Sequence, residues 1–130
     1  MTIRAVRGAV QLEHDEKDHL RDRVKALIKE VLERNELTQD DVISVIFTST
    51  PDLHSEFPAV AARQFGLLDV PLMCAQELDI EGALPRVVRI LAHVETDLDR
   101  ADIRHIYLGG ASSLRKDLAA PEQRDERGDD

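Results

Sequence analysis

Tryptophan is absent from this chain of 130 residues, tyrosine occurs once and phenylalanine three times. With aromatics at 3%, the core must be filled by aliphatic side chains. Cysteine also occurs once, as Cys74. A lone thiol excludes an intramolecular disulfide and is not a metal site by itself. Basic residues are in deficit, 17 Lys and Arg against 26 Asp and Glu, giving a formal net charge of −9. Nucleic acids and anionic membranes demand an extended basic surface, so neither is expected as the main partner. A small anion held by a local arginine cluster stays open. No apolar run is long enough to cross a bilayer, and the opening MTIRAVRGAV has no apolar signal core. These features predict a cytoplasmic location. The five histidines show no H-E-x-x-H or comparable spacing, which argues against a metal site.

What is present is an ordinary globular composition, 42% hydrophobic and 33% charged, enough for one domain with a proper core. Ile3 to Leu12 reads as a first strand, with Val6, Val10 and Leu12 on one parity and Ile3, Ala5, Arg7 and Ala9 on the other. Asp15 to Asn35 is the clearest helix. Leu20, Val24, Leu27, Ile28, Val31 and Leu32 form its apolar stripe, Asp15 suits the N-cap and Asn35 the C-terminal exit. Thr38 to Asp41 resembles a short capped turn. Val42 to Thr50 is β-branched and predicts a central strand. Pro58 to Phe65 predicts a short helix opened by proline and ended by Gly66. Val70 to Gln76 predicts a strand. Glu81 onward predicts a helix with stripe Leu84, Val87, Val88 and Leu91, and Ile103 to Leu108 a last strand, which Gly109-Gly110 separates from a possible continuation at Ala111 to Leu114. The chain after Pro121 has no apolar residue. Residues 1–118 are therefore expected to form the domain and 119–130 a disordered acidic tail. One sheet with helices on one face makes this an α+β (α/β-like) domain. Its second, aliphatic face needs a partner, and oligomerisation is the economical way to bury it.

Several polar residues sit at odd places. Arg7 lies among small apolar neighbours, and Glu77 stands where an apolar strand ends, three residues after Cys74. Arg89, in the expected helix, points away from its apolar stripe. The loop TPDLHSEFPA carries Asp52, His54, Glu56 and Phe57, with Arg63 on the helix that follows. Taken singly, a solvated Arg7 or Arg89 is the better account, and Phe57 can be a hydrophobic plug. No Ser-His-Asp set, glycine-rich phosphate loop or paired acid/base carboxylates accompany them.

The ordered segments IRAVRGA, TPDLHSEFPAVAAR, VPLMCAQELDIEGALPRVVRI, IRHIYL and SSLRKDL are more specific. Together, across residues 2 to about 118, they resemble the small monofunctional chorismate mutases of the trimeric pseudo-α/β-barrel class. The resemblance implies a single mixed sheet of ferredoxin-like, chorismate-mutase-like form, assembled as a homotrimer with active sites between subunits. It implies conversion of chorismate to prephenate, on the route to phenylalanine and tyrosine, with no cofactor and no covalent intermediate.

By the same resemblance, Arg89 faces the ether oxygen of the breaking bond. Arg7 grips a substrate carboxylate with Tyr107 beside it, and Glu77 accepts from the ring hydroxyl. Met73, Cys74, Ala75 and Gln76 line the ring, Cys74 beside Glu77 as a polarisable wall. Phe57, Ala59 and Arg63 come from the adjacent subunit, and Leu114 and Arg115 close the mouth. A regular strand through Glu77 sets Cys74 and Glu77 on opposite sides, so bringing them together requires the strand to bend or end there. Three departures stand out: Val60 where the family often has lysine, a segment near Gly66 one residue shorter, and Gly109-Gly110 in place of ordinary strand residues. They are expected to alter affinity and loop mobility, not the reaction type.

Two other readings stay open at this point. One is a trimeric imine or enamine deaminase, which CAQE and TPDLHSEFPA do not support. The other is a non-catalytic trimer that binds a small carboxylate. Turnover of 2-iminopropionate, or binding of chorismate without its consumption, separates them.

Overall fold

The structure, a computed structural model, describes residues 1–114. Strand β1 (Thr2–Gln11) leads into helix α1 (Lys17–Arg34). A 3-10 turn (Gln39–Asp41) precedes β2 (Val42–Ser49), and then come α2 (Pro58–Phe65), β3 (Leu72–Gln76), β4 (Val87–Thr96) and β5 (Ile106–Leu108). The strands form one mixed sheet in the order β3-β2-β4-β1-β5. Strand β4 runs antiparallel to β1 and β2, while the outer pairs β2/β3 and β1/β5 are parallel.

Helix α1 follows its stripe: all six predicted residues are buried. Each contributes on the order of 1.5–3 kcal/mol by leaving water. The cap is Glu16 rather than Asp15, its carboxylate accepting from the His19 N–H at 2.9 Å. Asp15 serves a distant loop instead, accepting from the backbone N–H groups of His54 (2.9 Å) and Ser55 (3.1 Å). Asn35 does more than end the helix. It is fully buried, donates to Val31 O and Arg104 O, and accepts from Arg104 N at 2.7 Å, tying α1 to the chain just before β5. Helix α2 begins at Pro58 and stops at Gly66, whose φ of 126° suits glycine.

The largest correction concerns residues 81–96. The expected helix is a turn followed by the long strand β4, the middle strand of the sheet, while β2, flanked by β3 and β4, is an interior strand as expected. Leu84, Val87, Val88 and Leu91 fit helical spacing, yet from Val87 onward burial alternates, with Val88, Ile90, Ala92 and Val94 all buried. Pro85 and Arg86, the latter at φ 56°, divide the turn from the strand. Pairing with β1 and β2 on both sides then decides the period. Strand β5 is shorter than expected, and a 3-10 turn at Gly109–Ala111 replaces any strand continuation.

Both helices pack on one face, over Val6, Val10, Val45, Phe47, Val88, Ile90 and Val94. The other face presents Ile3 and Met73, each 61% exposed, with Ile46 and Leu91 half-buried between them. Among the described residues no helix covers this face. Only one end is closed, where Leu84, Tyr107, Ala111 and Leu114 pack with Ala9 and Val87.

Candidate active site

Strand pairing aligns the polar residues of the open face. Ala75, Thr48, Arg89, Ala9 and Tyr107 form one row across β3, β2, β4, β1 and β5. The neighbouring row holds Met73, Ile46, Leu91 and Arg7. At the usual strand spacing of about 4.8 Å, Arg89 and Tyr107, two strands apart, are separated by roughly 10 Å of backbone. Only Ala9 stands between them in the row, fully buried where Leu84, Tyr107 and Leu114 pack against it. Arg7 is exposed, and its backbone N–H donates to His105 Nδ1 at 3.0 Å.

Glu77 extends the β3 ladder by one hydrogen bond, its N–H donating to Ser49 O at 2.9 Å. Its Oε2 accepts from Thr48 Oγ1 at 2.5 Å and pairs with Arg89 Nε at 2.7 Å. The Arg89 side chain is 41% exposed and that of Glu77 16%. Such a half-solvated pair adds little stability, about 1 kcal/mol or less. Its effect is orientation: it engages Nε and leaves the terminal amino groups of the guanidinium fork for another acceptor. A cavity of about 350 Å³ opens here, lined by Thr50, Asp52, Glu77, Asp79, Leu84 and Arg89 among others.

Cys74 does not join this group. The strand stays regular to Gln76, so Cys74 pairs with core-side Phe47 and projects away from Glu77. It lines a separate cavity of about 380 Å³ with Gln76, Glu56, Phe57 and Pro58. Phe57 is 68% exposed and is not a plug. Ala59 is buried in the first turn of α2, while Arg63 is exposed in its last turn. Met73 and Ala75 face the open side, and Leu114 packs at its closed end. Arg115 and the expected tail lie outside the described residues.

Sequence reasoning missed the supports. Thr48 was legible only as strand, although its alternation with Phe47 places it on the open face. The loop before Phe57 is pinned from α1, where Arg21 donates to Glu56 Oε2 through Nε (3.0 Å) and Nη2 (2.5 Å). Hydrogen bonds from the Phe57 N–H and Arg21 hold the Glu56 carboxyl below the ordinary range. At Asp15, burial acts to raise the carboxyl, but hydrogen bonds from Ser55 and His54 outweigh it and bring it lower. Glu13, His14 and His19 place ligand-type atoms within 4.8 Å of one another, with the two rings stacked at 4.3 Å. One His19 nitrogen is engaged there by the Glu13 N–H at 3.1 Å.

A five-stranded mixed sheet with an arginine–glutamate pair on its open face defines the setting. Residues 3–118 match the family of chorismate mutase type I, and the chain belongs to that family. It is 38% identical over 120 residues to chorismate mutase AroH of Bacillus subtilis (strain 168), spanning 92% of this chain and 94% of the relative. It is 43% identical over 117 residues to chorismate mutase AroH of Thermus thermophilus, spanning 89% and 96%. The solved chorismate mutase from Clostridium thermocellum superposes with a TM-score of 0.84 at 44% identity, covering 85% of this chain and 99% of the other.

Proposed function

We propose that the protein rearranges chorismate to prephenate in a pocket shared by neighbouring copies of a homotrimer in the cytoplasm. The observation that carries this reading is the Arg89–Glu77 pair, set in one row with Tyr107 and one row from Arg7. Chorismate is a dianion with a ring hydroxyl and an enolpyruvyl ether. Arg7 and Tyr107 take a carboxylate, Glu77 accepts from the ring hydroxyl, and the amino groups of Arg89 meet the ether oxygen. Negative charge grows on that oxygen as the C–O bond breaks. A guanidinium already held in place stabilises the charged transition state more than the neutral ether. The rearrangement is unimolecular, so folding the substrate into its reactive conformer supplies much of the remainder, without acid, base or cofactor.

The open face explains why copies are needed. Ile3, Met73 and Leu91 lie on it, and a second copy is the simplest cover. Cys74 and Phe57 line a cavity on the other side of β3 from Glu77. Each pocket is therefore built from the Arg89 half of one chain and the Phe57–Cys74 half of the next, with Cys74 joining Phe57, Ala59 and Arg63. Met73, Ala75 and Gln76 line the ring, and Leu114 with Arg115 closes the mouth.

The deciding experiment measures chorismate loss and prephenate formation by the purified protein, beside Arg89→Ala. Wild-type turnover with a fall of on the order of 100–1,000-fold in the variant is expected, from about 3–4 kcal/mol of lost stabilisation. Binding without turnover by the wild type, or a near-normal Arg89→Ala, refutes the reading.

A further inference from the structure

The root of strand β4 is more heavily tied than any core requirement explains. Arg86 is a non-glycine residue at φ 56°, a conformation that costs an L residue on the order of 1–2 kcal/mol. Four hydrogen bonds hold it there. Its N–H donates to both carboxylate oxygens of Asp52, at 3.3 and 3.0 Å. Its Nε donates to Leu12 O at 2.9 Å, and its carbonyl accepts from Leu12 N at 2.7 Å. Asp52 Oδ1 also accepts from Thr50 Oγ1 at 2.6 Å. That hydroxyl in turn accepts from Val87 N at 3.0 Å, while Thr50 N donates to Val87 O at 3.0 Å. The ring Thr50–Asp52–Arg86–Val87 closes on itself, and the exposed Asp52 carboxylate is its hub.

From this we infer that Asp52 is a positioning residue for Arg89, acting through the backbone of Arg86 and Val87. Strand β4 starts at Val87, two residues ahead of Arg89, so the ring sets where Arg89 leaves the sheet. Asp52 and Arg89 border the same cavity, yet no hydrogen bond or ion pair joins their side chains. Nor does the carboxylate contribute apolar burial. Its strong, converging bonds serve placement, and a shift of about 1 Å in a group facing a transition state costs up to roughly a hundredfold in rate. The inference rests on the role given to Arg89 above.

The test is a double-mutant cycle on the full chain, with chorismate as substrate and thermal unfolding monitored in parallel. Asp52→Ala should lower kcat about ten- to a hundredfold with KM changed by no more than about threefold. Asp52→Asn, which keeps an acceptor for the Arg86 N–H, should recover most of that loss. In an Arg89→Ala background, Asp52→Ala should cost no more than about twofold further, because the group it positions is gone. An equal loss in both backgrounds, or wild-type kcat in folded Asp52→Ala, overturns the inference. Should Asp52→Ala not fold, Thr50→Val, which removes the hydroxyl joining Asp52 to the Val87 N–H, carries the same cycle with the same criteria. A fully active Arg89→Ala removes the reading of Arg89 and the inference with it. An impaired Arg89→Ala beside an unimpaired Asp52→Ala removes the inference alone.

Discussion

The proposed split pocket makes a prediction that needs two defective proteins and no new contact. Arg89 lies on the open sheet face, and Arg63 lies on α2, which follows Phe57 and its cavity. Arg89→Ala removes the transition-state donor from one half. Arg63→Glu places a carboxylate in the other half, where a dianion must bind. Each homotrimer then carries the same fault in all its pockets. Co-refolding the two proteins gives mixed trimers. Around a ring of head-to-tail interfaces, every mixed trimer of either composition has one pocket that takes its Arg89 half from an Arg63→Glu chain and its Arg63 half from an Arg89→Ala chain. Random assembly from equal amounts makes about a quarter of all pockets intact, so activity should return to about 25% of wild type, far above either parent. The assay is the loss of chorismate absorbance, with mixed trimers verified by mass in solution and separated through a charge tag. Mixed trimers that stay as inactive as their parents would refute the shared pocket. Homotrimers as active as wild type would refute the residue assignments instead.

Arg89→Lys keeps the charge but loses the planar fork, so its kcat/KM should stay within about tenfold of Arg89→Ala; recovery to wild type contradicts the bidentate requirement. A side chain at Gly8 meets Ile106 O at 2.9 Å, Ile90 Cγ2 at 3.0 Å and Leu27 Cδ1 at 3.1 Å. Gly8→Ala should therefore destabilise by about 1–3 kcal/mol in urea unfolding, and an unchanged midpoint is the adverse result. Asp15 and Glu56 ionise below the ordinary range in the folded chain. As pH falls the unfolded chain takes up their protons first. The stability they contribute is present above about pH 4.5 and is lost as the pH drops through the lowered folded values. Melting temperatures measured downward from about pH 6 should show that loss, and Glu56→Gln should flatten it; an unaltered slope in the variant counts against the carboxylate's part.

Local elements were legible where one period dominated. The α1 stripe fits only a helix, and Pro58 with Gly66 brackets α2 as cap chemistry requires. Residues 84–91 fit two periods, and the decision was made by β1 and β2, whose registered partners lie 39 or more positions away in the chain. Cap preference selects Asp15. The loop at His54 claims that carboxylate, and Glu16 caps α1 in its place. The left-handed turn at Arg86 left no trace, since nothing in a Pro-Arg-Val sequence asks for positive φ. The motif-bearing residues were visible as a set, but their division between two sides of β3 followed from simple alternation and not from the motif.

That alternation has a consequence for the assembled ring. Strand β3 is a single layer at the edge of the sheet, with Cys74 looking one way and Glu77 the other. In the proposed trimer it becomes a party wall between adjacent reaction chambers. A chain altered on both sides of β3 damages two of the three chambers, one through its ring-facing wall and one through its carboxylate. Distance along the chain is then no guide to shared fate. Residues three positions apart serve different substrate molecules, while residues on separate polypeptides serve the same one.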